Sequence, residues 1–198
     1  MEQLRASRIV PVVRVATADE ALELAGRCVR ARLKTIEFTA TTAGWAEAVR
    51  AARAEWPELV VGAGTLRSRQ DAQCAVEAGA QFLVSPLPAP AVRSVAEWHG
   101  LGFIEGGFTP AELAAATALG PAKLFPAHVG GPAYLRSLLA VLPGAAIMPT
   151  GGVRLDDAAQ WLAAGAVAVG LGSDLTADGD LTERVQRVER ALSAVGDA

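Results

Sequence analysis

One lysine, Lys123, stands inside the run Ala122-Lys123-Leu124-Phe125-Pro126-Ala127, whose other side chains are all apolar. Burial of that kind disfavours an ammonium, and a neutral amine is what attack on a ketone to form a Schiff base requires. The alternative is a lysine that snorkels to water, or pairs with a buried carboxylate, and does no chemistry. Glu37 in Thr35-Ile36-Glu37-Phe38-Thr39 poses the complementary question, because a carboxylate among apolar strand residues needs either an ion-pair partner or a task as general acid/base. Arg14 closes Pro11-Val12-Val13-Arg14, where a guanidinium can clamp a carboxylate or phosphate, or simply pair with Glu37.

The elements that must position these groups are eight short apolar runs: residues 9–15, 35–39, 59–65, 81–85, 102–107, 122–126, 145–150 and 166–171. Several are apolar nearly throughout, as parallel strands covered on both faces must be. Each is followed by a helical pattern. Thr17 with Glu20, Ser68 with Asp71, and Thr109-Pro110-Ala111-Glu112 predict capped helix starts, and Gly79 and Gly165 predict helix ends. At about 25 residues per unit, eight strand–helix pairs predict a compact α/β fold, a (β/α)8 TIM barrel, with a doubly wound open sheet as the alternative. In a barrel, the reacting groups belong at the carboxyl ends of the strands.

Three further strand exits carry small residues. Gly62-Ala63-Gly64-Thr65 allows close approach of a ligand or of backbone, and Thr65 adds a hydroxyl; a tight turn explains the same residues. Pro149-Thr150-Gly151-Gly152 and Gly170-Leu171-Gly172-Ser173 end the seventh and eighth runs, where exposed backbone N–H groups and a following helix would bind an anion.

The 198 residues are 52% hydrophobic, which suits one domain spanning 1–198 with a large core. A net charge of −3 and the absence of any Lys/Arg cluster argue against nucleic-acid or membrane partners. Cys28 and Cys74 fall in helical patterns and are expected to be reduced thiols. Residues 1–8 lack a signal-peptide core, so a cytoplasmic location is expected. His99 and His128 lack partners at ligand spacing, and neither a metal nor any other cofactor is expected. The chain should end in a helix with a frayed terminus.

Taken in order, Ile9-Val10-Pro11-Val12-Val13-Arg14, Ile36-Glu37-Phe38-Thr39, Val61-Gly62-Ala63-Gly64-Thr65, Ala78-Gly79-Ala80-Gln81-Phe82, Ser85-Pro86, Lys123-Leu124-Phe125-Pro126-Ala127 and Pro149-Thr150-Gly151-Gly152 carry a resemblance. Over residues 9–173 the chain resembles the class I aldolases that cleave 2-keto-3-deoxy-6-phosphogluconate or 4-hydroxy-2-oxoglutarate to pyruvate and an aldehyde. That resemblance implies a homotrimer of barrels and a small-molecule 2-keto acid substrate, with or without a phosphate. It implies Lys123 as the Schiff-base residue, Glu37 as the proton carrier and Thr65 against the keto acid. Thr150, Gly151, Gly152, Gly172 and Ser173 would surround a distal phosphate, with Arg14 in the same mouth.

The chain also departs from the family pattern. Thr41 stands where the family has an arginine that contacts the pyruvate carboxylate, and a hydroxyl cannot replace a bidentate guanidinium. Glu105, in Ile104-Glu105-Gly106-Gly107, is expected to add negative charge at the mouth, and His128 replaces a glutamate. A changed carbonyl substrate is one alternative these departures raise. A non-catalytic metabolite-binding barrel and an isomerase barrel using Glu37 as base are the others.

Overall fold

The structure is a computed structural model, which describes residues 6–177 and 180–196. Eight parallel strands alternate with helices: β1 (Ile9–Val13), β2 (Thr35–Thr39), β3 (Val60–Gly64), β4 (Phe82–Val84), β5 (Gly102–Gly107), β6 (Ala122–Leu124), β7 (Ile147–Pro149) and β8 (Val169–Leu171). Neighbours in sequence pair in space from β1 to β7, and β8 pairs with β1 through Ile9↔Val169, Val10↔Gly170 and Pro11↔Leu171. A parallel bridge Thr150↔Gly170, with Val167 N–H donating to the Ile147 carbonyl at 3.0 Å, closes β7 on β8. The result is a (β/α)8 barrel, as the count of runs predicts.

The helices are α1 (Ala18–Arg30), α2 (Trp45–Glu55), α3 (Arg69–Glu77), α4 (Pro90–Trp98), α5 (Pro110–Thr117), α6 (Gly131–Val141), α7 (Ala158–Ala163) and α8 (Leu181–Gly196). Ser68 with Asp71 and Thr109 with Glu112 form reciprocal capping boxes. Thr17 caps α1 by accepting from Glu20 N–H, but the Glu20 carboxylate takes the N–H of Ala16 rather than that of the cap, so this box is half-formed. Gly79 and Gly165 follow α3 and α7 at φ of 88° and 102°, left-handed conformations that end a helix. α8 stays helical through Gly196, and the frayed end expected beyond it falls on residues 197–198, outside the described residues.

Strand parity divides the core into two parts. Alternate strand residues face the barrel axis, where Val10, Val84, Ile104, Met148 and Ala168 form an apolar plug, with Phe82 and Val167 against it. The other side chains meet the surrounding helices in one large cluster that includes Ile9, Val13, Ile36, Phe38, Val61, Leu83, Phe103, Leu124 and Ile147. Met148 of this plug is the register partner of Lys123 on the neighbouring strand. No helix among the described residues is long and apolar enough to cross a membrane.

Candidate active site

Register brings the two singled-out charges together. Glu37 is aligned with Val12 on one side and Gly62 on the other, and Lys123 lies between Gly106 and Met148. Across the barrel, Lys123 Nζ donates to Glu37 Oε1 at 3.2 Å, and the side chains are 3% and 0% exposed. The pairing reading and the catalytic reading of these residues therefore converge on one geometry. Glu37 Oε2 has no hydrogen-bond partner among the described residues, although it is buried. A buried acceptor of this kind leaves a position for a substrate hydroxyl or a water. The Phe125 ring centroid lies 5.7 Å from Lys123 Nζ, and the Phe125–Pro126 peptide is cis.

Glycines make the room. A Cβ on residue 64 would stand 1.8 Å from Glu37 Oε1, and one on residue 106 would stand 2.2 Å from the Pro86 carbonyl carbon. The first therefore keeps the carboxylate in place; the second lets the loop after β4 fold inward. Ser85 fixes that loop, its hydroxyl donating to the Leu87 carbonyl at 2.7 Å and accepting from Gly106 N–H at 3.2 Å.

The remaining candidates line the same carboxyl-end face. Arg14 Nη2 donates to Thr65 Oγ1 at 3.3 Å rather than pairing with Glu37. Thr65 itself has φ of 60°, a strained conformation for a β-branched residue, immediately after the glycine that shelters Glu37. Thr41 is exposed, and its hydroxyl is 3.0 Å from that of buried Thr39. Thr150 Oγ1 is buried with no partner among the described residues, and it occupies the space where residue 170 would carry a Cβ. Gly151 and Gly152 turn at φ of 90° and 69°, packed under Phe125 and His128, while Gly172 and Ser173 begin the next loop.

Two expectations need correction. The glycine-rich exits do not run into full helices: a 3-10 turn, Leu155–Asp157, precedes the six-residue α7, and another, Ser173–Thr176, follows β8. An anion held there would meet loop N–H groups rather than the N-terminus of a full helix. Glu105 does not charge the mouth. Ile104 and Gly106 take the inward positions of β5, so Glu105 points outward, where Arg93 Nη2 pairs with it at 2.6 Å and Ala89 N–H donates to it at 2.8 Å. His128 is exposed and folds over the glycine loop, its Nδ1 3.3 Å from the Gly151 carbonyl oxygen. Among the described residues no group of three or more His, Cys, Asp or Glu could hold a metal ion. Sequence reasoning also missed Asp174 and Arg184, which bind each other behind the glycine loops.

A closed (β/α)8 barrel with a buried lysine–carboxylate pair that joins β2 to β6 across its interior belongs to the class of barrels equipped for covalent carbonyl chemistry. The sequence model of the KDPG and KHG aldolases matches residues 1–191, and the chain belongs to that family, the carbon–carbon lyases that cleave 2-keto acids to pyruvate and an aldehyde. The 2-dehydro-3-deoxy-phosphogluconate aldolase of Treponema pallidum (strain Nichols) is 32% identical over 203 residues, covering 98% of this chain and 97% of that one. The 2-dehydro-3-deoxy-6-phosphogalactonate aldolase of Escherichia coli (strain K12) is 32% identical over 188 residues, covering 93% and 92%. The crystal structure of a 4-hydroxy-2-oxoglutarate/2-dehydro-3-deoxyphosphogluconate aldolase from TTHB1 superposes with a TM-score of 0.80 at 35% identity, covering 98% and 96%.

Proposed function

We propose that this aldolase acts on a phosphorylated 2-keto-3-deoxy sugar acid, with Lys123 as the amine that forms the Schiff base and Glu37 as the group that moves protons. The observation that carries the reading is the buried 3.2 Å contact between Lys123 Nζ and Glu37 Oε1 inside a family barrel. Lys123 adds to the C2 carbonyl of the keto acid, and the oxygen leaves as water to give a cationic imine. The imine draws the C3–C4 bonding electrons as the C4 hydroxyl loses its proton, which releases the aldehyde and leaves an enamine. Protonation at C3 and hydrolysis return pyruvate and the free amine. Glu37, with one oxygen at Lys123 and the other without a partner among the described residues, accepts and returns these protons through hydrogen bonds in this reading.

Arg14 is the guanidinium beside Thr65, so these two residues are assigned to one acidic end of the substrate, in place of the arginine absent at Thr41. The loops at Thr150-Gly151-Gly152 and Gly172-Ser173 are assigned to the phosphate at the other end. The curated relatives named for phosphorylated 2-keto acids support this class of substrate.

Incubation with pyruvate and borohydride, followed by intact-protein mass measurement, tests the reading. One reduced pyruvate imine per chain is expected, and none in Lys123→Ala. A wild-type protein that cleaves a 2-keto acid without any trapped adduct would overturn the covalent mechanism. An adduct that forms only in Thr41→Arg would point to a donor other than pyruvate.

A further inference from the structure

The loops after β7 and β8 meet through one carboxylate, that of Asp174. Its Oδ2 accepts from the N–H of Leu155 at 2.9 Å and from Arg184 Nη2, while its backbone carbonyl accepts from Arg184 Nη1 at 2.9 Å. Leu155 follows Gly152 in the loop after β7, Asp174 is the residue after Ser173 in the loop after β8, and Arg184 sits in the first turn of α8. The side chains of the pair are only 11% and 16% exposed. Solvent therefore screens the contact little, and the guanidinium balances a carboxylate close to the anion loops.

We propose that Asp174 is a positioning residue: it fixes the separation of the two glycine-rich loops around the distal phosphate, and Arg184 of α8 holds it there. The inference rests on the reading of those loops as the phosphate site. A phosphate monoester must take donors from both loops at once, and backbone that is glycine-rich at residues 151, 152, 170 and 172 is costly to order. Neither loop is stiffened by a full helix, since each leads into a 3-10 turn of three or four residues. Asp174 supplies the missing rigidity, because a single carboxylate joins one loop to the backbone of the other. An ion pair that served only to dock α8 would not need the Leu155 N–H.

The experiment compares wild type, Asp174→Ala, Asp174→Asn and Arg184→Gln in three assays. These are cleavage of 2-keto-3-deoxy-6-phosphogluconate, deuterium exchange into the methyl group of pyruvate, and calorimetric titration with inorganic phosphate. In Asp174→Ala the KM for the phosphorylated substrate is expected to rise about tenfold, with kcat and pyruvate exchange within about twofold of wild type. Asp174→Asn, whose amide oxygen still accepts from Leu155, should recover most of that loss, and Arg184→Gln should fall between the two. An unchanged KM in Asp174→Ala, or a parallel loss of pyruvate exchange, would overturn the proposal. Phosphate titration needs no aldolase chemistry, so it separates this proposal from the substrate assignment. Weaker phosphate binding in Asp174→Ala than in wild type sustains the proposal even if the sugar acid is not cleaved; equal or absent binding in both overturns it.

Discussion

Residue 64 is a glycine because Glu37 fills the space its Cβ would need: the two would stand 1.8 Å apart at Oε1 and 2.3 Å at Cδ. The backbone at Gly64 is ordinary extended strand, paired to Thr39, so the constraint is volume rather than conformation. Gly64→Ala should therefore fold but push the carboxylate away from Lys123. We expect kcat/KM to fall roughly 100-fold, the scale of a misplacement of about 1 Å. Steady-state kinetics beside a circular-dichroism spectrum checks this, and full activity in Gly64→Ala would show that Glu37 works equally well from another rotamer.

The pair itself carries a stability prediction that is independent of activity. Lys123→Met leaves Glu37 buried with neither oxygen paired, a loss of about 3–5 kcal/mol when one partner of a buried ion pair is removed. Replacing both, as Lys123→Met with Glu37→Leu, removes the uncompensated charge and should restore most of that stability. Urea unfolding of the single and double variants measures the difference. A double variant no more stable than the single would mean that the pair is not desolvated in the folded protein.

Most of the scaffold was legible because its signals are local. The bounds of β2 and β5 match the apolar runs, and Ser68, Thr109, Gly79 and Gly165 act where cap chemistry places them. The other six strands are shorter than their runs, since the run also includes apolar residues of the flanking loops, as at Phe125-Pro126. Glu37 and Lys123 were legible as charges in apolar strands, whereas their contact spans 86 residues and depends on barrel closure. The facing of Glu105 was not legible because glycines on the same strand hide its alternation, which shows only in the packing of Phe103 outward and Ile104 inward. Asp174 and Arg184 gave no signal at all, since each is ordinary at a helix-rich, polar end of the chain.

Glu112 links local chemistry to acid stability. Backbone N–H groups of Thr109 and Phe108, and the Thr109 hydroxyl, hold its carboxyl below the ordinary value of 4.5. A depressed carboxylate stabilises the fold fully above its unfolded value, and that contribution is lost as pH falls through the lower folded value. Glu112→Gln should therefore be less stable than wild type at neutral pH, and the two should converge as pH drops below 4.5. Melting temperatures across that range check the sign, and a constant gap at all pH values would assign the cap to hydrogen bonding without charge.

The two cysteines should differ sharply in reactivity. Burial pushes the Cys28 thiol up to about 12, with Arg27 opposing the shift, whereas Cys74 is partly exposed. The thiolate is the reacting form, so Cys28 stays inert in the folded protein at mildly alkaline pH. Iodoacetamide followed by peptide mass mapping should label Cys74 first and Cys28 only after unfolding. Equal labelling of both would mean that α1 opens readily from the barrel.

Thr65 sets stability against binding. A β-branched residue at φ of 60° stores strain that glycine would not, so Thr65→Gly is expected to raise unfolding stability by about 1 kcal/mol after glycine's greater entropy loss is counted. The same change removes the hydroxyl that Arg14 Nη2 reaches at 3.3 Å, leaving the guanidinium without its anchor over the mouth. The KM for a 2-keto acid should then rise, by roughly tenfold, with a smaller change in kcat. Arg14→Gln should raise KM in the same way without the gain in stability, since it leaves the strained backbone in place. Unfolding curves and KM values for the two variants decide the matter: a Thr65→Gly protein that is more stable and binds as well as wild type would show that the strain serves no purpose in binding.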